Sequence, residues 1–155
     1  MNATGAQPAQ GVEGLGLQIL LLLGPGVAYA GFLRKDVPAE LSRFRAILSS
    51  SVAMVHPTQA DISPLLLVEA AQFGCPAIAP RAFAIPGLVE HQRTGLLIDA
   101  PPTAPAVAAA MAWMLEHAQD YAEMRAAAWR RARARHARAR FEARLLAQVD
   151  AVLAA

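Results

Sequence analysis

The stretch from His56 to Pro80, HPTQADISPLLLVEAAQFGCPAIAP, decides the fold. The apolar run Val52–Val55 precedes it, one helical segment lies within it, and the apolar run Ala77–Ala79 ends it. Short apolar strands bounded by Pro suit a parallel sheet that is covered on both faces. The order strand, helix, strand therefore predicts a βαβ unit of an α/β fold, a Rossmann-like parallel sheet flanked by helices.

Two carboxylates in this unit indicate a binding site. Asp61 lies in the loop, and Glu69 lies eight positions later within an otherwise apolar helix. Eight residues span just over two helical turns, so the two side chains fall on one side. An ionised Glu on a core-facing helix is costly unless it is paired. We expect both carboxylates to face a cleft above the carboxyl ends of the strands, where open α/β sheets bind ligands.

The rest of the chain continues the α/β pattern and then becomes helical. Residues 1–16 carry four Gly and one Pro without apolar periodicity, so we expect them to be disordered, and we expect residues 17–155 to form one domain. The other predicted elements are strands at Leu17–Leu23, Val27–Ala30 and Gly95–Ile98, and helices at about Pro38–Ser49, Pro86–His91, Pro105–His117, Gln119–His136 and Arg138–Leu153.

The amino-acid composition is that of a protein with a buried core. The chain has 155 residues, of which 17% are charged and 55% apolar, which suits a buried core rather than disorder. The single Cys75 excludes an internal disulfide, and its place between Gly74 and Pro76 predicts a small buried residue. No convincing signal peptide or membrane span is seen, so we expect a cytoplasmic protein. No spacing of His, Cys, Asp and Glu suggests a metal site.

The motifs around Glu69 are similar to those of a known enzyme family. They resemble the signature of the donor-binding half of retaining GT-B glycosyltransferases of the large family 4, over about residues 17 to 153. The matching motifs are Gly31-Phe32-Leu33, Pro57-Thr58, Asp61, Ile62-Ser63-Pro64, Glu69-Ala70, Gly74-Cys75-Pro76, Ile85-Pro86-Gly87-Leu88-Val89 and Arg93-Thr94-Gly95-Leu96-Leu97.

The resemblance implies half of an enzyme. A complete GT-B enzyme has two Rossmann-like domains with the active site between them, and this chain can hold only the second. It implies transfer of a hexose from a nucleoside diphosphate sugar to an acceptor, with a missing N-terminal half or partner subunit. We expect the isolated chain to be inactive and to hold no catalytic residue. The nucleotide sugar is the donor substrate, and no other cofactor and no metal are expected.

The resemblance also assigns roles to residues. Glu69 would accept hydrogen bonds from the ribose hydroxyls, and Asp61 would contact the transferred sugar. The start of the helix, Ser63, Pro64 and Leu65, would meet the diphosphate with its free N–H groups and positive dipole end. Ser63 is the expected N-cap and Pro64 the first helical residue. The alternatives are a solvated Glu at a domain edge and an Asp that makes a local turn.

Two further residues are candidates for donor contact. His56 ends a predicted strand at this cleft, although a His that satisfies loop carbonyls is an equally good interpretation. Arg81 follows the next strand, and a solvated loop Arg is the favoured alternative. The chain departs from the family pattern at Asp61, which replaces a Glu, and at Pro64, which has no N–H to offer a ligand. It departs again at Gly87, where the family usually has Glu.

The charge is unevenly distributed. Residues 1–124 carry 6 basic and 10 acidic groups, whereas residues 125–155 carry 8 basic and 2 acidic groups. This Arg-rich end leaves an alternative function open, a non-catalytic α/β module that contacts protein, nucleic acid or an anionic membrane. Arg131, Arg135 and Arg138 share a predicted face for membrane-surface contact, peripheral at the inner membrane. A solvated helix is the favoured interpretation, and no specific nucleic acid is expected.

Overall fold

The computed structural model describes residue 28 and residues 30–136 and 138–154. The segment 1–16 and the predicted strand Leu17–Leu23 lie outside this part of the chain. Of the predicted strand Val27–Ala30, only Ala28 and Ala30 are described, and neither lies in a strand.

A parallel sheet of three strands forms the centre of the described chain. The strands β1 (Met54–Val55), β2 (Ala77–Pro80) and β3 (Gly95–Ile98) lie side by side in chain order, which confirms the predicted Rossmann-like α/β fold. The helices are α1 (Pro38–Ser50), α2 (Leu65–Gln72), α3 (Ile85–Leu88), α4 (Ala104–Glu116), α5 (Ala118–His136) and α6 (Arg138–Leu153).

The central strand β2 is buried along its whole length. Alternate side chains point to opposite faces of a strand. Ala79 packs with Leu67 of α2 on one face of the sheet. Ile78 packs with Met114 of α4 and Met124 of α5 on the other. The sheet is therefore covered on both faces, which explains the uninterrupted apolar sequence of β2.

Strand β1 is shorter than predicted. The sequence predicts Val52–Val55, but only Met54–Val55 pairs with β2. The carbonyl of Val52 instead accepts a hydrogen bond of 3.0 Å from the Tyr121 hydroxyl of α5, so a side chain replaces the ladder at this point.

Helix α5 ties the ends of several elements together. Its Tyr121 hydroxyl donates to the Val52 carbonyl, before β1. Its Arg125 lies against the end of α1, where Nη2 donates to the Ser49 carbonyl at 3.2 Å. A guanidinium there satisfies carbonyls that have no partner within their own helix. The same helix passes Gly74, where an added Cβ would lie 3.5 Å from the Arg125 carbonyl oxygen and 3.9 Å from the Trp129 Cβ. Helix α5 therefore braces the end of the sheet where the strands begin, which we call the amino edge.

Arg131 is a structural residue and not part of a free basic face. Its side chain is only 13% exposed, forms an ion pair with Glu90, and donates to the Gly87 carbonyl at 2.7 Å. Arg135 is exposed, and Arg138 begins the separate helix α6. Of the three arginines predicted to share a face, Arg131 is therefore turned inward by the packing of α5 and is engaged within the fold.

Helix α6 is exposed along its length. Its apolar residues lie on the surface of the described chain, and none belongs to the cores around the sheet. No helix within residues 30–136 or 138–154 is long and apolar enough to cross a membrane. The exposed apolar residues of α6 are Phe141, Leu145, Leu146, Val149, Val152 and Leu153.

The close approach of the β2 backbone to Gly95 predicts the effect of adding a methyl group at this residue. A Cβ there would lie 2.4 Å from the Ala77 carbonyl oxygen and 2.8 Å from Val89 Cγ1. Gly95→Ala should therefore lower the free energy of unfolding in urea by about 1–3 kcal/mol. The control is Gly87→Ala, where nothing lies within 4 Å of the new Cβ. Equal destabilisation by both substitutions would contradict this account.

The largely enclosed position of Arg131 predicts that its loss lowers stability more than the loss of an exposed arginine does. Arg131→Gln removes the charged donor from the Glu90 carboxylate and the Gly87 carbonyl. It should lower the free energy of unfolding by about 1.5–3 kcal/mol, the range for hydrogen bonds to charged groups. The matched control Arg135→Gln removes an exposed charge and should change stability by less than about 0.5 kcal/mol. Urea titrations of both variants measure the difference, and similar midpoints would refute the structural role of Arg131.

The single cysteine provides a chemical test of the packing. Cys75 is fully buried, and burial raises the pKa of its thiol to about 11, although Arg125 partly opposes this shift. Because the thiolate is the reactive species, iodoacetamide at pH 8 should modify the folded chain roughly a hundredfold more slowly than the urea-unfolded chain. Mass spectrometry of the time course measures this, and comparable rates would show that Cys75 is accessible.

Candidate functional site

The loops that follow the strands meet at one end of the sheet, which we call the carboxyl edge. Because β1, β2 and β3 are parallel, His56, Arg81 and Asp99, which follow the three strands, all lie there. Helix α2 follows the loop after β1, so it also begins at this edge. This is the position where open α/β sheets bind ligands.

His56 and Asp61 form a pair within the loop after β1. His56 Nε2 lies 3.0 Å from Asp61 Oδ2, and both side chains are partly exposed. Local turns hold the intervening chain, since the Thr58 N–H donates to the His56 carbonyl and the Ala60 N–H donates to Thr58 Oγ1. The sequence predicted both residues at this cleft but not their contact. The imidazole thus meets a carboxylate, which was neither of the two partners considered from the sequence, a donor and loop carbonyls.

The start of α2 differs from its prediction. Ser63 is not the N-cap, and Pro64 is not the first helical residue. Pro64 occupies the N-cap with an extended ψ of 101°, and the helix begins at Leu65 without a side-chain cap. The extended backbone at Pro64 places Ser63 outside the helix, too early for its hydroxyl to cap the first turn. The missing N–H of Pro64 consequently precedes the helix, and the first helical residues, Leu65 and Leu66, retain theirs.

Glu69 has a cationic partner. It forms an ion pair with Lys35, which lies 34 residues upstream, just before α1. The Lys35 ammonium also lies 4.6 Å from the centre of the Phe44 ring. The two charged side chains remain 47% and 38% exposed, for Lys35 and Glu69 respectively, so the pair faces solvent and not the core.

The two candidate carboxylates have separate partners. Asp61 is held by His56 and Glu69 by Lys35, and in the described chain no hydrogen bond or ion pair joins the two pairs. Arg81 is also at the carboxyl edge, with its backbone N–H bonded to the Ile98 carbonyl at 2.7 Å and its side chain exposed. This exposure fits the solvated-arginine interpretation.

Large apolar side chains surround these polar groups. Ile62, Leu65 and Phe83 are each more than half exposed, and Phe83 has a positive φ of 52°. The Ile62 carbonyl accepts a hydrogen bond of 3.1 Å from the Ala84 N–H, which joins the loop before α2 to the start of α3. The polar groups of the carboxyl edge therefore lie beside an apolar rim, which we define as Ile62, Leu65 and Phe83.

A separate cleft lies at the amino edge. It measures about 540 Å³ and lies between the turn before β3, the end of α4 and the start of α5. The rings of Trp113 and His117 stack 4.5 Å apart within its lining. Its size suits a small ligand. We nevertheless place the candidate site at the carboxyl edge, because the N-termini of helices and the free ends of the strands converge there.

Other candidate chemistries receive no support from the described residues. They contain no group of three or more His, Cys, Asp and Glu side chains that could hold a metal ion. Thr94 is buried, and its hydroxyl accepts from the Glu90 N–H at 2.8 Å, so this residue shapes the turn before β3.

Solved structures support the same fold. The structure of Anabaena HepE in complex with UDP matches with a TM-score of 0.65 and 23% identity, over 76% of this chain and 30% of that one. Sucrose-phosphate synthase from Thermosynechococcus elongatus matches with a TM-score of 0.59 and 26% identity, over 70% of this chain and 28% of that one. HepE in complex with UDP-glucose gives a TM-score of 0.55 and 26% identity, over 57% and 24% respectively.

The chain spans less than a third of the length of these solved structures. No curated protein sequence matches it. The model of the family described as glycosyl transferases group 1 matches residues 20–134, which is most of the chain. That match includes the sheet, the two paired carboxylates and nearly all of α5. Together with the Rossmann-like fold, it shows that this chain belongs to the glycosyl transferases group 1 family, of the GT-B type.

Proposed function

We propose that this chain is the donor-binding part of a retaining glycosyltransferase, which transfers a hexose from a nucleoside diphosphate sugar to an acceptor. The observation that carries the proposal is the half-exposed carboxylate of Glu69, held by Lys35 on a helix that begins at the carboxyl edge. Family membership supports it. Two of the similar structures are complexes with UDP or UDP-glucose, so uridine nucleotides are the first donors to test.

Glu69 is the proposed ribose contact. An ionised carboxylate only accepts hydrogen bonds, and its two oxygens match two neighbouring hydroxyl groups. Charge-assisted hydrogen bonds of this kind are stronger than neutral ones. The exposure of Glu69 leaves room for such a ligand, while its ion pair with Lys35 keeps the side chain in a fixed position.

The start of α2 is the proposed diphosphate contact. The N–H groups of Leu65 and Leu66 have no partner within their own helix and lie at the positive end of its dipole. Pro64 does not reduce this set, because it lies at the N-cap and not within the helix. Ser63 is exposed beside it and can contribute its hydroxyl.

Asp61 is the proposed contact of the transferred sugar. Its bond to His56 uses Oδ2, so Oδ1 can accept from a sugar hydroxyl. His56 would then act as a positioning residue that orients the carboxylate. Arg81, at the end of the next strand, is a further candidate for contact with the diphosphate or the base.

The apolar rim supports a second partner for this site. Exposed apolar surface beside polar groups is typical of an interaction surface. We propose that Ile62, Leu65 and Phe83 face the other half of a GT-B enzyme, which would supply the acceptor site. The isolated chain would then bind donor with little or no transferase activity.

The direct test is isothermal titration of the full chain with UDP, GDP and ADP. Binding of at least one nucleoside diphosphate is expected. Failure of all three to bind, with the chain shown to be folded by circular dichroism, would refute the proposed function.

Substitution of the two carboxylates tests their separate roles. Glu69→Gln keeps the shape but removes the charge, and it should weaken binding of the preferred nucleoside diphosphate by about 1.5–3 kcal/mol. Asp61→Asn should affect the bare diphosphate less and should instead reduce the preference for nucleotide sugar over nucleotide. Titration calorimetry measures both effects. Glu116→Gln, an exposed change at the far end of α4, is the matched control. Equal weakening by the Glu69 and Asp61 variants would show that the roles are wrongly assigned.

A further inference from the structure

The turn before α1 places one lysine in a defined position. The Val37 N–H donates to the Arg34 carbonyl at 3.3 Å and closes the turn. The Arg34 N–H donates to the Glu40 carboxylate at 2.6 Å, and the Arg34 guanidinium binds Asp36 at 2.7 Å. The flanking residues of the turn are therefore engaged locally, whereas the Lys35 side chain extends away to α2.

The ammonium of Lys35 lies between two fixed groups. One is the Glu69 carboxylate, and the other is the ring of Phe44, whose centre is 4.6 Å away. Phe44 is buried in the core that joins α1 to α2, so its ring is a rigid support. An ammonium has three N–H donors, and the bond to Glu69 engages one of them. Since Lys35 is 47% exposed, the remaining donors can meet a ligand.

The positive charge of Lys35 would favour a diphosphate beside Glu69. A diphosphate beside the bare Glu69 carboxylate would be repelled by it, and Lys35 cancels that charge. Because the ammonium has three N–H groups, it can donate to a phosphate oxygen while it remains bound to Glu69. Arg34, its neighbour, is already bound to Asp36 and is not directed at Glu69.

We propose that Lys35 is a donor-binding residue whose ammonium contacts the diphosphate while Glu69 accepts the ribose hydroxyls. The phosphate and the ribose hydroxyls of one nucleotide are attached to the same sugar ring, and the ion pair presents one group for each. Lys35 thereby makes the site selective for nucleoside diphosphates over nucleosides. This inference rests on the proposed function, because it assumes that Glu69 binds ribose.

The test compares UDP with uridine on the full chain, with calorimetry for UDP and NMR titration for uridine. Lys35→Gln should weaken UDP binding by about tenfold, as expected for loss of a charged hydrogen bond. Uridine binding should change by less than about twofold, since the nucleoside has no phosphate. Lys35→Arg keeps the charge and should retain most of the affinity for UDP. Arg43→Gln removes an exposed charge from α1 and should change neither ligand.

Three outcomes would overturn the inference. Equal weakening of UDP and uridine by Lys35→Gln would mean that Lys35 only positions Glu69. Stronger binding of both ligands would mean that Lys35 competes with the ribose. If the unsubstituted chain binds neither UDP nor GDP nor ADP, the proposed function fails, and the role of Lys35 fails with it. If the unsubstituted chain does bind UDP, either of the first two outcomes refutes the role of Lys35 alone.

Discussion

The packing of α5 across the amino edge is the constraint on which the described structure depends. Strand β1 pairs through two residues only, so its ladder alone could not fix the loop that follows it. Tyr121 and Arg125 hold the end of α1 and the chain entering β1, and Arg131 holds the turn after α3 through Gly87 and Glu90. These bonds join segments that are distant in sequence. They fix the strands at the amino edge, and the loops at the carboxyl edge keep their geometry as a result.

Side-chain pairs also fix the functional groups at the carboxyl edge. Each candidate carboxylate has a cationic or imidazole partner, Lys35 for Glu69 and His56 for Asp61. These side chains stay partly exposed, so a ligand can reach them without unfolding the loop. A paired carboxylate is held in one orientation before a ligand arrives, which lowers the entropic cost of binding.

The apolar rim and helix α6 are two apolar surfaces that the described chain leaves exposed. Monomeric proteins rarely expose extended apolar surface. The rim adjoins the candidate donor site, which is why we assign it to the other half of a GT-B enzyme. Helix α6 lies beyond residue 134, where the family match ends, so its apolar stripe is a feature outside the shared domain.

The sequence by itself determined the βαβ unit and the buried strand β2, because these follow from local apolar patterns and from Pro and Gly signals. Only the tertiary structure decided that the partner of Glu69 is Lys35, that His56 holds Asp61, that Pro64 precedes the helix, and that Arg131 turns inward. For Lys35 and Arg131 the physical reason is distance along the chain: periodicity reports which face of an element is apolar, whereas packing alone brings together side chains separated by 34 or 41 residues. For His56 and Pro64 the reason is the backbone path of the loop before α2, which apolar periodicity does not describe.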